Sequence, residues 1–241
     1  MVGRIRFYQE KGRGSVGVEY LGALTLITAA LYVPPGLSQR RLNRRLAKLE
    51  RQLAGMGVGR VVLPEGFPYA DRLGRLRPVD TLGFYRAVAD VLALEALSRV
   101  RADVEQGSVA LSAPWLCPEL RRTAQRLCTQ VRAIRIDVPQ EGEDYARWLQ
   151  RQYGLPVVPR SGQVDVTVAF GPGERAQGWT LRLYDRPRLG GLRLYARDLE
   201  LPRDCNQQLL ALLWEGGAVR REDLYALPTT AEEPHREDPL Q

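Results

Sequence analysis

Two short stretches of the chain carry residue types and spacings suited to holding an anionic ligand, and the first is GRGSVG at residues 12–17. Its glycines have the G-x-G-x-x-G spacing of turns that let backbone N–H groups approach a pyrophosphate. Such a turn follows a hydrophobic strand and opens a helix, whereas the charged RIRFYQEK precedes this stretch and the strand-like VEYLGALTLI follows it. We therefore interpret residues 12–17 as a flexible hairpin connection.

The second stretch is the basic segment SQRRLNRRLAKLERQLAGMG, residues 38–57. Its leucines recur at intervals of four, three and four residues, which predicts an amphipathic helix with Ser38 as its N-cap. The outer face of this helix carries Arg40, Arg41, Arg44, Arg45, Lys48 and Arg51. We expect these cations to contact an anionic group or a partner, and a solvated surface helix is the alternative.

Basic charge is concentrated in the N-terminal quarter of the chain. The 241 residues have a formal net charge of +7, and residues 1–60 hold 11 basic side chains against 3 acidic ones. Apart from Lys11, Lys48 and the single histidine, all of the basic side chains are arginines. This scarcity of lysine leaves few candidates for Schiff-base chemistry or for the lysine of a phosphate-binding P-loop.

Histidine and cysteine usage excludes several mechanisms. The one histidine, His235, lies in the polar tail TTAEEPHREDPLQ, so Ser-His-Asp triads and His-ligated zinc sites lack a histidine in a structured position. Cys117, Cys128 and Cys205 are an odd number without metal-ligand spacing. We expect them to be buried free thiols.

The elements that position these residues begin with an N-terminal unit, residues 1–77. It is predicted to contain a short strand, the glycine-rich turn, an apolar strand or strand pair, the basic helix and a buried strand at 61–63. This is a β-α-β-like arrangement. A helix over residues 19–32 is the alternative for the apolar segment.

Residues 78–170 alternate between predicted helices and strands. A long helix is expected to follow Pro78 with Asp80 as its cap. Strands at 108–113, 133–139 and 155–158 are separated by helices at 118–130 and 142–153, which predicts a parallel sheet with right-handed crossovers.

Residues 171–227, together with the preceding strand at 164–170, complete the predicted fold. Strands at 164–170, 179–185 and 192–201 are joined by short loops, so we expect antiparallel neighbours, followed by a C-terminal helix from Asp204. The predicted class is therefore α/β, a three-layer core whose mixed sheet has a parallel centre and antiparallel C-terminal strands. Residues 1–227 are expected to form a single domain, and residues 228–241 a disordered tail.

Residues 108–170 resemble a Rossmann-type, dehydrogenase-like half-domain. Asp137 ends the second strand 25 residues after Ser112, where that family commonly has an acid for ribose hydroxyls, and VDVTVAFGP is similar to a later strand and loop. The resemblance implies an NAD or NADP site near Ser112, Asp137, Gly171 and Gly173.

The first turn of this segment departs from the family's pattern. Residues 113–118, APWLCP, contain no glycine, and their two prolines remove backbone donors. We expect Trp115 to occupy the space that a phosphate needs. This departure favours a degenerate fold without a cofactor.

The function expected from the sequence is binding rather than catalysis. We predict a non-catalytic accessory or regulatory protein that meets a protein partner through its basic N-terminal region. An oxidoreductase-like enzyme and a nucleic-acid-binding protein are the alternatives. The apolar stretch at 20–37 is interrupted by glycine, threonine and proline, and the first residues do not form a secretory signal, so we expect a soluble, cytoplasmic protein without membrane contact.

Overall fold

A computed structural model describes residues 1–154, 156–159, 162–173 and 177–229 of the chain. Contacts between Cα atoms divide it into two compact units. The first comprises Met1–Phe84 and Ala196–Asp223, and the second comprises Tyr85–Tyr195 and the chain from Leu224 onward. Whether residues 1–227 fold as a single domain stays a prediction.

The first of these units, which we call the N-terminal unit from here on, contains a five-stranded mixed sheet. Its strands are β1 (Val2–Tyr8), β2 (Val16–Leu21), β3 (Leu24–Tyr32), β4 (Arg60–Val62) and β5 (Arg77–Pro78), in the order β2-β3-β1-β4-β5. β1 pairs in parallel with β3 and β4, and β4 with β5, whereas β2 is antiparallel to β3. The apolar segment is therefore a strand pair, as the β-branched and aromatic residues favour.

Helix α1 (Gln39–Gly55) joins β3 to β4 and crosses β1, which lies between them. The predicted leucine stripe is buried against the sheet, and its members are Leu42, Leu46, Leu49 and Leu53. Ser38 occupies the N-cap position, as predicted, but its side chain makes no capping hydrogen bond.

The predicted long helix after Pro78 is interrupted at Val88. It consists of α2 (Leu82–Ala87) and α3 (Ala89–Val100), and Asp80 caps the first by accepting a hydrogen bond of 2.9 Å from the N–H of Leu82.

The second unit contains a four-stranded parallel sheet. Its strands are β6 (Ser108–Ser112), β7 (Ala133–Asp137), β8 (Val166–Ala169) and β9 (Trp179–Arg182), in the order β7-β6-β8-β9. Of the predicted strand at 155–158, the described residues 156–158 form one parallel bridge, between Val157 and Ile134 of β7. With this bridge counted as a strand position, the order along the sheet is that of a doubly wound fold.

Helices α4 (Pro118–Leu127) and α5 (Gly142–Tyr153) follow β6 and β7 and pack on them, and α3 packs on β8 and β9. Gly154 ends α5 with a φ of +66°, the left-handed conformation expected of a glycine C-cap. The α/β class and the mixture of parallel and antiparallel strands are confirmed.

The predicted antiparallel pairing among the strands at 164–170, 179–185 and 192–201 is wrong. β8 and β9 are parallel, and the third strand, β10 (Leu192–Ala196), pairs with β11 (Leu224–Pro228) in a separate sheet. The connection over residues 170–178 needs no helix because β8 has only four residues, about 13 Å, and nine extended residues reach about 30 Å. Antiparallel pairing occurs between β2 and β3, and also between β10 and β11, whose ends are joined by hydrogen bonds from the Arg197 N–H to the Asp223 carbonyl and from the Thr229 N–H to the Gly191 carbonyl.

The C-terminal part of the chain adds helix α6 (Asn206–Glu215) to the N-terminal unit. The side-chain amide of Gln208 on α6 accepts a hydrogen bond from the Leu63 N–H and donates one to the Leu63 carbonyl, each at 3.0 Å. It therefore satisfies both backbone polar groups of Leu63. Pro228, where the predicted tail begins, ends β11, and residues 230–241 lie outside the described residues. Within the described ranges, no helix has the length and apolar character needed to span a bilayer.

Candidate anion-binding surface of the N-terminal unit

The glycine-rich loop lies against the carboxyl end of β3. β1 and β2 lie on opposite sides of β3, so residues 9–15 cross the end of that strand and are not the hairpin connection that the sequence suggested. A Cβ at Gly12 would overlap the ring of Tyr32, which stacks on Tyr8 at 4.8 Å between ring centroids. Glycine is therefore required at position 12 by close packing rather than by a bound pyrophosphate.

A cavity of about 230 Å³ separates this loop from α1. Its cationic lining comes from both sides, with Arg13 on the loop and Arg45 and Lys48 on α1. Apolar side chains, including Val16, Leu31 and Leu49, also line it. No carboxylate lines this cavity within the described part of the chain. The structure thus brings together the two motifs that the sequence presented separately.

The leucine stripe decides which cations face the cavity. Because it fixes the rotation of α1, positions 45, 48 and 52 lie beside the loop, one and two turns apart. Arg45 is half-buried and donates a hydrogen bond from Nη1 to the carbonyl oxygen of Tyr32. That contact orients the guanidinium group of Arg45, which lines the cavity.

The remaining cations of α1 point away from the sheet. Arg40, Arg44 and Arg51 are exposed on the side opposite the leucines, and Arg41 is exposed one turn before Arg45. Together these four residues form what we call the basic face. None of the six cations of α1 forms an ion pair within the described ranges.

Carboxylates in the N-terminal quarter do not neutralise this charge. Glu50, the one acid on α1, is buried and accepts a hydrogen bond of 2.9 Å from the Arg75 N–H. Glu19 pairs with Arg4 and Arg6, each at 2.8 Å. Burial raises the pKa of Glu19, but hydrogen bonds from Thr28 and Arg6 and the charges of both arginines outweigh it and hold the pKa below its usual range.

In the second unit, Ser112 and Asp137 lie side by side at the carboxyl ends of β6 and β7, as the sequence predicts. Ser112 is buried, and the Asp137 carboxylate is occupied by Arg135, whose Nε donates to Oδ2 at 2.9 Å. Sequence reasoning missed Arg135. It is fully buried in the middle of β7, and its Nη1 donates to Gln177 Oε1 at 2.7 Å. An arginine two residues before Asp137, on the same side of the strand, is the signal that could have revealed this pair.

Gly171 follows β8 and packs directly on Pro114, because a Cβ at position 171 would overlap the proline ring. Pro114 therefore packs between the ends of β6 and β8, at the place where open α/β sheets bind ligands. The sequence interpretation assigned this role to Trp115, but that side chain is 68% exposed. Gly173 has a φ of +91° and open space around its Cα, and nothing in the described residues joins it to Ser112 or Asp137.

Arg86, near these strand ends, serves the fold. Arg86 donates from Nε to the Leu183 carbonyl and from Nη2 to the Phe170 carbonyl, each at 2.7 Å, and so holds the ends of β8 and β9 together.

All three cysteines are free and buried, as predicted. Burial raises the pKa of Cys117, of Cys128 to about 11 and of Cys205 to about 12, which makes them poor nucleophiles.

Comparison with known protein families finds none that matches the chain, and comparison with curated proteins finds none either. Among solved structures, L-tryptophan dehydrogenase from Nostoc punctiforme matches 59% of this chain with 14% sequence identity and a TM-score of 0.29. The chain covers 43% of that structure's length. A TM-score this low carries no argument about function. The strand order of the second unit is compatible with the Rossmann-like resemblance, and no specific protein is identified.

Proposed function

We propose that this chain is a non-catalytic accessory or regulatory protein that binds an acidic protein partner through the basic face of α1. The observation that carries the proposal is the set of exposed arginines on that face without a carboxylate partner in the described residues. We also propose a cytoplasmic location, which the three free thiols support because reduced cysteines persist in reducing compartments.

Repulsion within α1 supports a partner of opposite charge. Arg40 and Arg44, Arg41 and Arg45, and Arg44 and Lys48 are like-charged pairs four residues apart. Each such pair destabilises a helix by about 0.2–0.5 kcal/mol. An acidic surface relieves this repulsion when it binds. Residues 39–55 include no aromatic side chain on which a base could stack, which favours a protein over single-stranded nucleic acid.

The test is fluorescence anisotropy of a labelled polyglutamate peptide titrated with the full chain at physiological ionic strength. Replacing Arg40, Arg44 and Arg51 with alanine is expected to weaken binding about tenfold or more, since each removes an exposed charge from the contact. The matched control replaces Arg122, Arg151 and Arg186, which are exposed and lie outside α1. It removes the same charge and is expected to bind nearly as tightly as the unchanged chain.

Two results contradict the proposal. If both triple variants weaken binding equally, the interaction follows net charge rather than the basic face. If a labelled DNA duplex binds far more tightly than polyglutamate, with a steep loss of affinity as salt rises, the nucleic-acid alternative replaces it.

An enzyme that binds a nucleotide is the second candidate, and the observation in its favour is the doubly wound strand order of the second unit. Its ligand would lie near Ser112, Asp137, Gly171 and Gly173. Contact between Pro114 and Gly171 weighs against it, since that contact lies where open α/β sheets usually bind ligands. Stabilisation by NAD or NADP in a thermal-shift assay would favour the enzyme, because a ligand that binds only the native state raises its melting temperature.

A further inference from the structure

We infer a small-molecule site in the N-terminal unit, separate from the partner surface proposed above. The cavity between residues 12–15 and α1 binds a phosphate monoester that carries a compact organic group. This inference does not depend on a protein partner. It gives the GRGS loop, residues 12–15, a role in binding a phosphate monoester, which differs from the dinucleotide binding that the glycine spacing suggests.

The charge in the cavity matches a terminal phosphate. Arg13, Arg45 and Lys48 line it from opposite sides, and no carboxylate lines it within the described residues. A phosphate monoester carries about −1.5 to −2 charges near neutral pH, whereas a phosphodiester carries one. Because the guanidinium of Arg45 is already oriented by the Tyr32 carbonyl, less side-chain entropy is lost when a ligand binds it.

The loop contributes backbone as well as charge. Within the described residues, the N–H groups of Gly12, Arg13 and Gly14 make no hydrogen bond. A Cβ at Gly12 would overlap Tyr32, and one at Gly14 would lie 3.1 Å from the Ala30 carbonyl oxygen. Glycine at both positions keeps the loop close to β3, beside α1. Successive free N–H groups next to cations are a common anion-binding arrangement.

The size of the cavity and its apolar lining indicate that the bound phosphate carries an organic group. About 230 Å³ is several times the ~30 Å³ that one water occupies, more than the few atoms of inorganic phosphate need. Val16, Leu31 and Leu49 give part of its lining an apolar character. A ligand with its phosphate between these cations and a compact ring against the apolar lining satisfies both parts.

The experiment is isothermal titration calorimetry of the full chain with phenyl phosphate as the probe. We expect one saturable site, with affinity at least about tenfold lower after Lys48→Ala or Arg13→Ala. Both side chains are exposed, so these variants are expected to fold, which their melting curves check. Lys11→Ala is the matched control, because it removes the same charge from the same loop without lining the cavity.

The pH dependence provides an independent readout. A phosphate monoester loses its second proton near pH ~6, so affinity is expected to rise several-fold between about pH 5 and about pH 7.5. Phenyl sulfate, which stays a monoanion, is expected to bind more weakly and without this rise.

The inference is overturned if phenyl phosphate gives no saturable heat, or if Lys11→Ala and Lys48→Ala weaken its binding equally. It is also overturned if a DNA oligonucleotide binds more tightly than phenyl phosphate and the Lys48→Ala and Arg13→Ala variants weaken that binding. Vesicles containing phosphatidic acid distinguish a lipid headgroup from a free ester. Polyglutamate binding measured on the same Lys48→Ala sample separates failure of this site from failure of the proposed partner surface.

Discussion

Gly12 and Gly171 are both glycines because a neighbouring ring occupies the space of a side chain, Tyr32 in one case and Pro114 in the other. Such constraints are invisible in the sequence, since they depend on residues 20 and 57 positions away. The pairing of Asp137 with Arg135 is different, because both residues lie on one strand. Their two-residue spacing could have revealed the pair, although the sequence analysis missed it.

Replacing Gly12 with alanine tests the first of these constraints. The new methyl group would overlap Tyr32, so the loop must move, and we expect the free energy of unfolding to fall by about 1–3 kcal/mol. Gly17→Ala is the control, because nothing lies within 4 Å of its added methyl group, and it is expected to be neutral or slightly stabilising. Urea denaturation measures both, and equal losses would refute the packing argument.

Asp165 makes part of the stability depend on pH. Its carboxylate accepts hydrogen bonds from the Ser108 N–H, the Ser108 hydroxyl and Arg101 Nε at 2.8–2.9 Å. Burial raises its pKa, but these bonds outweigh burial and lower the pKa below its usual value. A carboxyl with a depressed native pKa stabilises the fold above its unfolded pKa, and this contribution is lost as pH falls through the native pKa.

Asp165→Asn is therefore expected to cost about 1–3 kcal/mol at neutral pH and to show a shallower loss of stability below about pH 4. Denaturation curves at neutral and acidic pH measure this difference. Parallel pH profiles for the two proteins would contradict the assignment.

The three thiols are expected to resist modification in the native chain. Burial raises the pKa of Cys128 to about 11 and of Cys205 to about 12, so the thiolate is scarce at about pH 8 and reagents cannot reach it. Labelling with a thiol-reactive disulfide should be slow until denaturant is added. Rapid labelling of the folded protein would show that these side chains are accessible.

At the scale of elements, sequence periodicity was sufficient for some segments and insufficient for others. The leucine spacing of α1 predicted both the helix and its buried face. It did not reveal that Arg45 and Lys48 face a loop more than thirty residues earlier, because that depends on how β2 and β3 pair. Likewise, a short loop before β9 suggested antiparallel pairing, and only the four-residue length of β8 makes the parallel return feasible.

Leu53→Ala tests whether the leucine stripe holds α1 against the sheet. Leu53 is fully buried, so the lost apolar contact and the cavity left behind are expected to cost about 2–5 kcal/mol. Met56→Ala, at an apolar side chain that is 46% exposed, should cost less than about 1 kcal/mol. Chemical denaturation compares the two, and a Leu53→Ala loss as small as that of Met56→Ala would contradict the observed packing.

At the scale of the whole molecule, the α/β class followed from the alternation of elements. The strand order of the second unit did not, because residues 156–158, the described part of the predicted third strand, contribute one bridge at Val157. The candidate site could be anticipated only in part. The cations of α1 were identified from sequence, but Arg13 and the cavity required the fold, since β3 alone brings the loop to the helix.

The most direct test of the account maps where an acidic partner binds. Amide NMR spectra of the full chain, labelled with ¹⁵N and titrated with polyglutamate, report the environment of each backbone N–H. If the basic face binds the partner, chemical-shift changes concentrate at α1, around Arg40, Arg44 and Arg51. Changes concentrated instead at Ser112, Asp137 and Gly171, with α1 unaffected, would contradict it.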